Sequence, residues 1–151
     1  MIVMLAYLAA GSTAPLAQPQ LVPWSFLVGH CFVGAAPGNS GQDKHCFEAV
    51  FGGQHVRDRH VVTTQGHDVY AGETLYSARG SKVIFTYWNS LGGLGTGEAV
   101  ATSDGWHFSG TIHATAGSRD EQFAATWRKV DGDYEVTDGP DGKARLFKRS
   151  D

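Results

Sequence analysis

The residues of this 151-residue chain with the most evident chemistry are two cysteines and seven histidines. Cys31 and Cys46 each follow a histidine, His30 and His45, so the two doublets resemble a zinc ligand set. Adjacent residues on a strand point to opposite faces, so a His-Cys doublet does not easily turn both donors toward one ion. Fourteen residues separate the cysteines, and both fall in segments that read as neighbouring strands. In an oxidising compartment such a pair favours a disulfide, with two buried free thiols as the alternative. No metal is assigned.

The remaining histidines give no catalytic signature. No two share the i, i+4 spacing of a helical metal site, and no H-E-x-x-H occurs. His107 and His113 fall on one strand face, too far apart to chelate together. A single axial haem ligand would come from His30 or His60. The run Gly92–Gly97, GGLGTG, resembles a phosphate loop, but a strand-like segment follows it where a helix N-terminus is needed. It reads instead as a flexible rim. His60 with Glu73 is the remaining acid–base pair, in no recognisable catalytic arrangement, so no catalytic residue is assigned.

The most polar strand-like segment, near Gln54–Thr63, carries His55, Arg57 and Arg59 on one face and Asp58 and His60 on the other. One of these faces must look inward, and a buried charge without a partner is very costly. One reading makes Arg57 or His60, with Glu73 or Tyr70 and with Tyr87, an anchor for a ligand headgroup. The other makes these residues an internal salt-bridge network or a solvated face. Alternation separates Glu73 from Tyr70, so only a bulge, for instance at Gly72, would bring both into one cavity. The aromatic residues Phe32, Phe47, Phe85, Tyr87, Trp88 and Trp106 are the candidates to line it.

The elements that position these groups are short and evenly punctuated. Strands are expected near His30–Ala35, Lys44–Phe51, Gln54–Thr63, Asp68–Ser77, Lys82–Asn89, Gly97–Thr102, Trp106–Ala114, Asp120–Val130, Tyr134–Asp138 and Lys143–Lys148. Twenty glycines supply many of the turns between them. Leu21–Val28 suits a helical turn that plugs one barrel end with Trp24 and Phe26 or Leu27; an extended surface arm is the alternative. About eight to ten strands with short connections favour closure into an antiparallel up-and-down β-barrel, which removes the exposed edges of an open meander. With Phe32 inward, His30 and Gly34 join it. A disulfide on the outer face then turns His45, Phe47, Ala49 and Phe51 inward. On the seventh strand Trp106, Phe108, Gly110 and Ile112 face inward. The fifth offers two apolar faces, Val83/Phe85/Tyr87 and Ile84/Thr86/Trp88, and alternation alone does not choose between them.

A formal charge of −3 without a basic cluster argues against nucleic acid as a partner. The apolar run Ile2–Ala10 is too short to span a bilayer and fits a signal peptide over residues 1–17, leaving a barrel domain over 18–151. No Lys or Arg precedes Lys44, so the usual basic leader is missing, and a cytoplasmic protein is the alternative. No residue pattern specifies an oligomeric state.

One further set of residues points to a family. Gly29, Phe32 and Gly34 open the first strand as G-x-x-F-x-G; Phe47-Glu48 and Phe51-Gly52-Gly53 follow on the second. With Val56–His60, the Tyr70–Tyr76 run and Tyr87-Trp88-Asn89, this resembles the small calycin-type barrels of bacteria, the lipocalin-like and nitrobindin-like domains. Phe32 stands where that superfamily usually has a Trp. The resemblance implies a calycin barrel and a hydrophobic ligand, and no reaction. Nitrobindin-like members bind haem through a histidine near the C-terminus; this chain has none after His113, so that function does not carry over. The expectation is an exported barrel that binds a small apolar or amphipathic molecule without catalysis. A haem-binding or hydrolytic enzyme and a structural, partner-binding envelope protein with a filled interior are the alternatives.

Overall fold

A computed structural model describes residues 15–138 and 142–151; the proposed leader lies, except for its last three residues, outside the described residues. Ten strands follow a short N-terminal 3-10 helix, Pro19–Trp24: β1 (Cys31–Ala35), β2 (Gln42–Val50), β3 (His55–Thr64), β4 (His67–Arg79), β5 (Lys82–Asn89), β6 (Gly92–Ala101), β7 (Gly105–Thr115), β8 (Glu121–Val130), β9 (Asp133–Asp138) and β10 (Ala144–Arg149). Each pairs antiparallel with its sequence neighbour, and β1 pairs with β10, so the sheet is a closed barrel. Hairpin chemistry explains the succession. Gln65-Gly66 and Asp131-Gly132 hold positive φ at both residues, the geometry of the tight turn whose twist matches that of paired strands.

One expectation about the strands is corrected. The glycine run is not a loose rim: β6 begins at Gly92, and Gly93, Gly95 and Gly97 are strand residues. Gly97 lies opposite Gly110 of β7. A Cβ on Gly97 would fall 2.2 Å from the Ser109 carbonyl and 2.6 Å from the Phe85 ring; one on Gly110 would fall 2.2 Å from the Thr96 carbonyl. These glycines let two strands and an aromatic ring approach more closely than any side chain allows.

The helix closes one end, as the apolar segment before β1 predicts. Leu21, Trp24 and Leu27 are wholly buried, while Phe26 is only partly so. The Trp24 ring sits 4.4 Å from Tyr76 and 4.6 Å from Trp106, with Phe108 and Trp127 at 6.0 Å. Two inward expectations fail here. Phe51 is 78% exposed, because it occupies the turn after β2 with φ of 51°. His30 precedes β1 and turns outward to Asp151, with 3.2 Å between the Nδ1 and carboxylate atoms.

The outer face carries the disulfide and several ion pairs, with Trp88, Leu94, Val100 and Leu146 also exposed. Cys31 and Cys46 oppose each other across β1 and β2 and form a disulfide, Cα atoms 4.1 Å apart. Glu48 accepts hydrogen bonds from Arg57, Lys82 donates to Glu98, and Arg128 donates to Glu135. Among the described residues, no helix is long and apolar enough to cross a membrane.

A one-sided cavity with a buried His–Asp wall

Above the plug the barrel is not filled. A cavity of about 490 Å³ extends toward the β1–β2 loop, where Ala36, Pro37 and Ser40 border it. That volume lies within the usual range of small-molecule sites. Tyr76, Phe108 and Trp127 form the floor, and these same rings rest on Trp24 from the cavity side. Inward positions of β5, β7 and β8 supply an apolar wall: Phe85, Ile112, Phe123 and Ala125. The opposite wall, from β2, β3 and β10, is polar and contains Asp43, His45, Asp58, His60 and Arg145.

Register brings that wall together. The β2–β3 hairpin sets His45 opposite His60 and Asp43 opposite Val62, with all four residues on the inward face. Asp58 shares this face with Val56 and His60, and its side chain is 2% exposed. His45 donates from Nδ1 to Asp58 Oδ2 at 2.8 Å, and its Nε2 lies 3.3 Å from Asp43 Oδ2. His60 Nδ1 lies 3.2 Å from the other oxygen, Asp43 Oδ1. The two imidazoles stack with centroids 4.7 Å apart. Arg145 donates to Asp138 at 2.7 Å and to the Ala35 carbonyl at 2.9 Å, and stands 4.0 Å from Asp43. Tyr70 and Tyr87 share a hydroxyl–hydroxyl hydrogen bond beside His60.

Electrostatics follow from the pairing. Burial works against a charge on Asp43, but hydrogen bonds from His45 and His60 outweigh it and hold the carboxyl far below the usual range. Burial likewise opposes a charge on His45; the Asp58 and Asp43 carboxylates overcome it and push the imidazole up to about 10. Burial, then the hydrogen bond with Tyr70, raises the Tyr87 hydroxyl. Two polar atoms of the wall, Asp58 Oδ1 and His60 Nε2, are buried with no hydrogen-bond partner among the described residues. A Cβ on Gly72, opposite His60 on β4, would sit 2.4 Å from that Nε2, so the absent side chain makes room for the imidazole.

The sequence-predicted site residues divide into three groups. His60, Tyr70, Phe85 and Tyr87 line the cavity. Phe32, Phe47 and Trp106 are inward but lie in the packed core outside the cavity lining, Phe32 and Phe47 edge to face at 5.9 Å. Arg57, Glu73 and Trp88 do not reach the interior. Arg57 pairs with Glu48 on the outer face, Glu73 lies opposite Arg59 and Trp88 in the sheet, and Trp88 is 38% exposed. A bulge does occur on β4, but not at Gly72. The register shifts between Val62 and Thr63, leaving Val69 as the extra residue, so Tyr70, Thr74 and Tyr76 stay inward and Glu73 outward. Asp43, Asp58 and Arg145 are cavity residues that the sequence reading did not select.

In comparison with known proteins, no family model matches the chain and no curated protein matches it. The class defined here is therefore architectural: a closed ten-stranded antiparallel β-barrel with a plug at one end and a cavity toward the other.

Proposed function

We propose that this protein is an exported barrel that binds one small amphipathic molecule without chemical turnover. The observation that carries the reading is the sidedness of the cavity: most of its ionisable groups gather on β2, β3 and β10 beside Val62 and Phe147, while β5, β7 and β8 offer aromatic and aliphatic side chains, with Tyr87 the polar exception. An apolar body would lie along Phe85, Phe108, Phe123 and Trp127 while a headgroup exchanges hydrogen bonds with His60, Tyr70 and Tyr87. This division is how small-molecule pockets combine affinity with orientation. The volume counts against the structural alternative, which requires a filled interior. Haem binding is less favoured, because His30 faces Asp151 outside the cavity and His60 engages Asp43 and buries its other nitrogen. The Cys31–Cys46 disulfide supports the export half of the reading, since such bonds persist in oxidising compartments. Likeness to lipocalin-type carriers stays part of this proposal and rests on the motifs in the sequence.

Native mass spectrometry of protein isolated from its own host tests the idea directly: a single non-covalent adduct is expected. In parallel, an amphipathic fluorescent probe should quench Trp127 in the wild type and lose affinity when Phe123→Asp places a charge on the apolar wall. Repeated preparations without an adduct, together with a probe response unchanged by that substitution, would sink the binding role.

A further inference from the structure

We propose that Asp43, His45 and His60 form a binding site for one divalent transition-metal ion in the polar wall of the cavity. This inference does not depend on the amphipathic ligand. Each of the three residues offers one donor atom, and these atoms all lie within 4.8 Å of one another. Metal–donor distances of about 2.0–2.2 Å place the ligands of a tetrahedral ion roughly 3.3–3.5 Å apart. His45 Nε2 stands 3.3 Å from Asp43 Oδ2, and His60 Nδ1 stands 3.2 Å from the other oxygen, Asp43 Oδ1, both close to that edge. A turn of the carboxylate that brings one oxygen to both nitrogens, with contraction of the remaining edge, completes the set.

Three further features fit an ion better than a plain hydrogen-bond network. Asp58 engages His45 at Nδ1, which leaves Nε2 as the nitrogen turned to the other donors. A carboxylate behind an imidazole in this way is the usual outer support of a metal-bound histidine. Charge is the second feature. An ion would displace the proton that His45 otherwise holds; with both imidazoles then neutral, Asp43, Asp58 and Asp138 carry three negative charges against the single positive charge of Arg145, an excess of two that one divalent cation cancels. The third is donor chemistry: two imidazoles and one carboxylate suit zinc, cobalt, nickel, copper or ferrous iron, and do not suit calcium or magnesium, which take oxygen ligands. Because the donors line the cavity wall, an ion held by three protein groups keeps a further position directed at the cavity contents. Asp58 acts here as a positioning residue.

The experiment uses the whole chain with its disulfide intact, stripped with a chelator and titrated with Zn²⁺ by calorimetry and with Co²⁺ by visible absorption. One equivalent is expected, with the intense visible bands of low-coordinate Co²⁺. His60→Ala should lower affinity at least 100-fold. Asp58→Asn should lower it about 10–100-fold and alter the Co²⁺ spectrum. His107→Ala, whose ring pairs with Thr126 at the surface, should change nothing. If the cavity variants do not fold, two-bond ¹H–¹⁵N spectra of the wild type decide the matter. Zn²⁺ should shift the imidazole signals of His45 and His60, saturating at one equivalent. Absence of stoichiometric binding, or shifts confined to His30, His107 and His113, would overturn the site.

Discussion

Replacing both cysteines, Cys31→Ala with Cys46→Ala, tests whether the barrel seam depends on its covalent staple. The two residues are 15 positions apart. Removing a cross-link that closes a loop of that length releases about 3 kcal/mol of denatured-state entropy in the chain-entropy model. The folded state adds a reason to expect no less. Strand β1 has five residues, pairs with β10 at only two positions, and meets β2 at five, the first of which is the disulfide. Its Phe32 is wholly buried against Phe47 and Tyr134, so fraying of β1 would open the core along with the seam. Urea unfolding followed by tryptophan fluorescence should give a midpoint equivalent to a loss of about 3 kcal/mol, and a melting temperature roughly 10 °C lower for a chain of this size. Dithiothreitol should move the wild type to the variant's midpoint. A loss under about 1 kcal/mol, or no effect of the reductant, would refute the view that the staple secures the closing strand.

Three other outcomes are expected. Gly97→Ala forces a Cβ into the Ser109 carbonyl and the Phe85 ring and should cost several kcal/mol, whereas Gly117→Ala meets nothing within 4 Å and should be neutral or stabilising by up to about 1 kcal/mol; paired denaturation curves check the contrast. Trp24→Ala removes the ring on which the cavity floor rests and should cost about 3–5 kcal/mol, read by thermal unfolding. Burial raises the hydroxyls of Tyr76 and Tyr134 well above 10, so both stay protonated in the folded barrel at pH values where the unfolded chain loses those protons. The unfolded state then binds fewer protons, and stability falls as pH rises above 10. Ultraviolet titration should show these two phenols ionising only together with loss of the near-ultraviolet circular dichroism.

Strand number, closure and the plug are legible in the residues because turn chemistry and burial act locally. Paired turn residues such as Gln65-Gly66 and Asp131-Gly132 mark hairpins, and Leu21–Leu27 has no polar face to leave in water. Phase is harder. On β5 both Phe85 and Trp88 suit burial, and on β3 both faces carry charge, so alternation could not decide which set looks inward. Long-range register decides it. With the disulfide outward, His45 and Phe47 face in, and the Gly52-Gly53 turn then carries Asp58 and His60 in and Arg57 out. The Gly92–Gly97 run misleads for a different reason. Glycine density usually signals a loop, but here the missing side chains admit backbone from β7 and the Phe85 ring. Arg145 is not legible as a site residue because Asp43 and the Ala35 carbonyl, which draw it to the cavity, come from strands remote in sequence.

The division of labour across the barrel follows from these registers. Of the inward positions on β2 and β3, those nearest the plug, Phe47, Ala49 and Val56, are apolar and complete the core. One step further along each strand the chain places His45 and Asp58, then Asp43 and His60, with only Val62 returning to apolar character at the rim. On β5, β7 and β8 the inward residues at comparable depth are Phe85, Phe108 and Ala125. A barrel interior meant only for stability would be cheaper to fill with aliphatic side chains, since burying ion pairs in place of well-packed apolar residues is often neutral or destabilising. Five ionisable groups on one wall, Asp43 and Asp58 buried and His45, His60 and Arg145 nearly so, with a polar atom of Asp58 and one of His60 unpaired among the described residues, are therefore a cost that the rest of the fold offsets through its aromatic floor and its staple. Such a cost is expected where polar groups serve an occupant of the cavity, not the barrel itself.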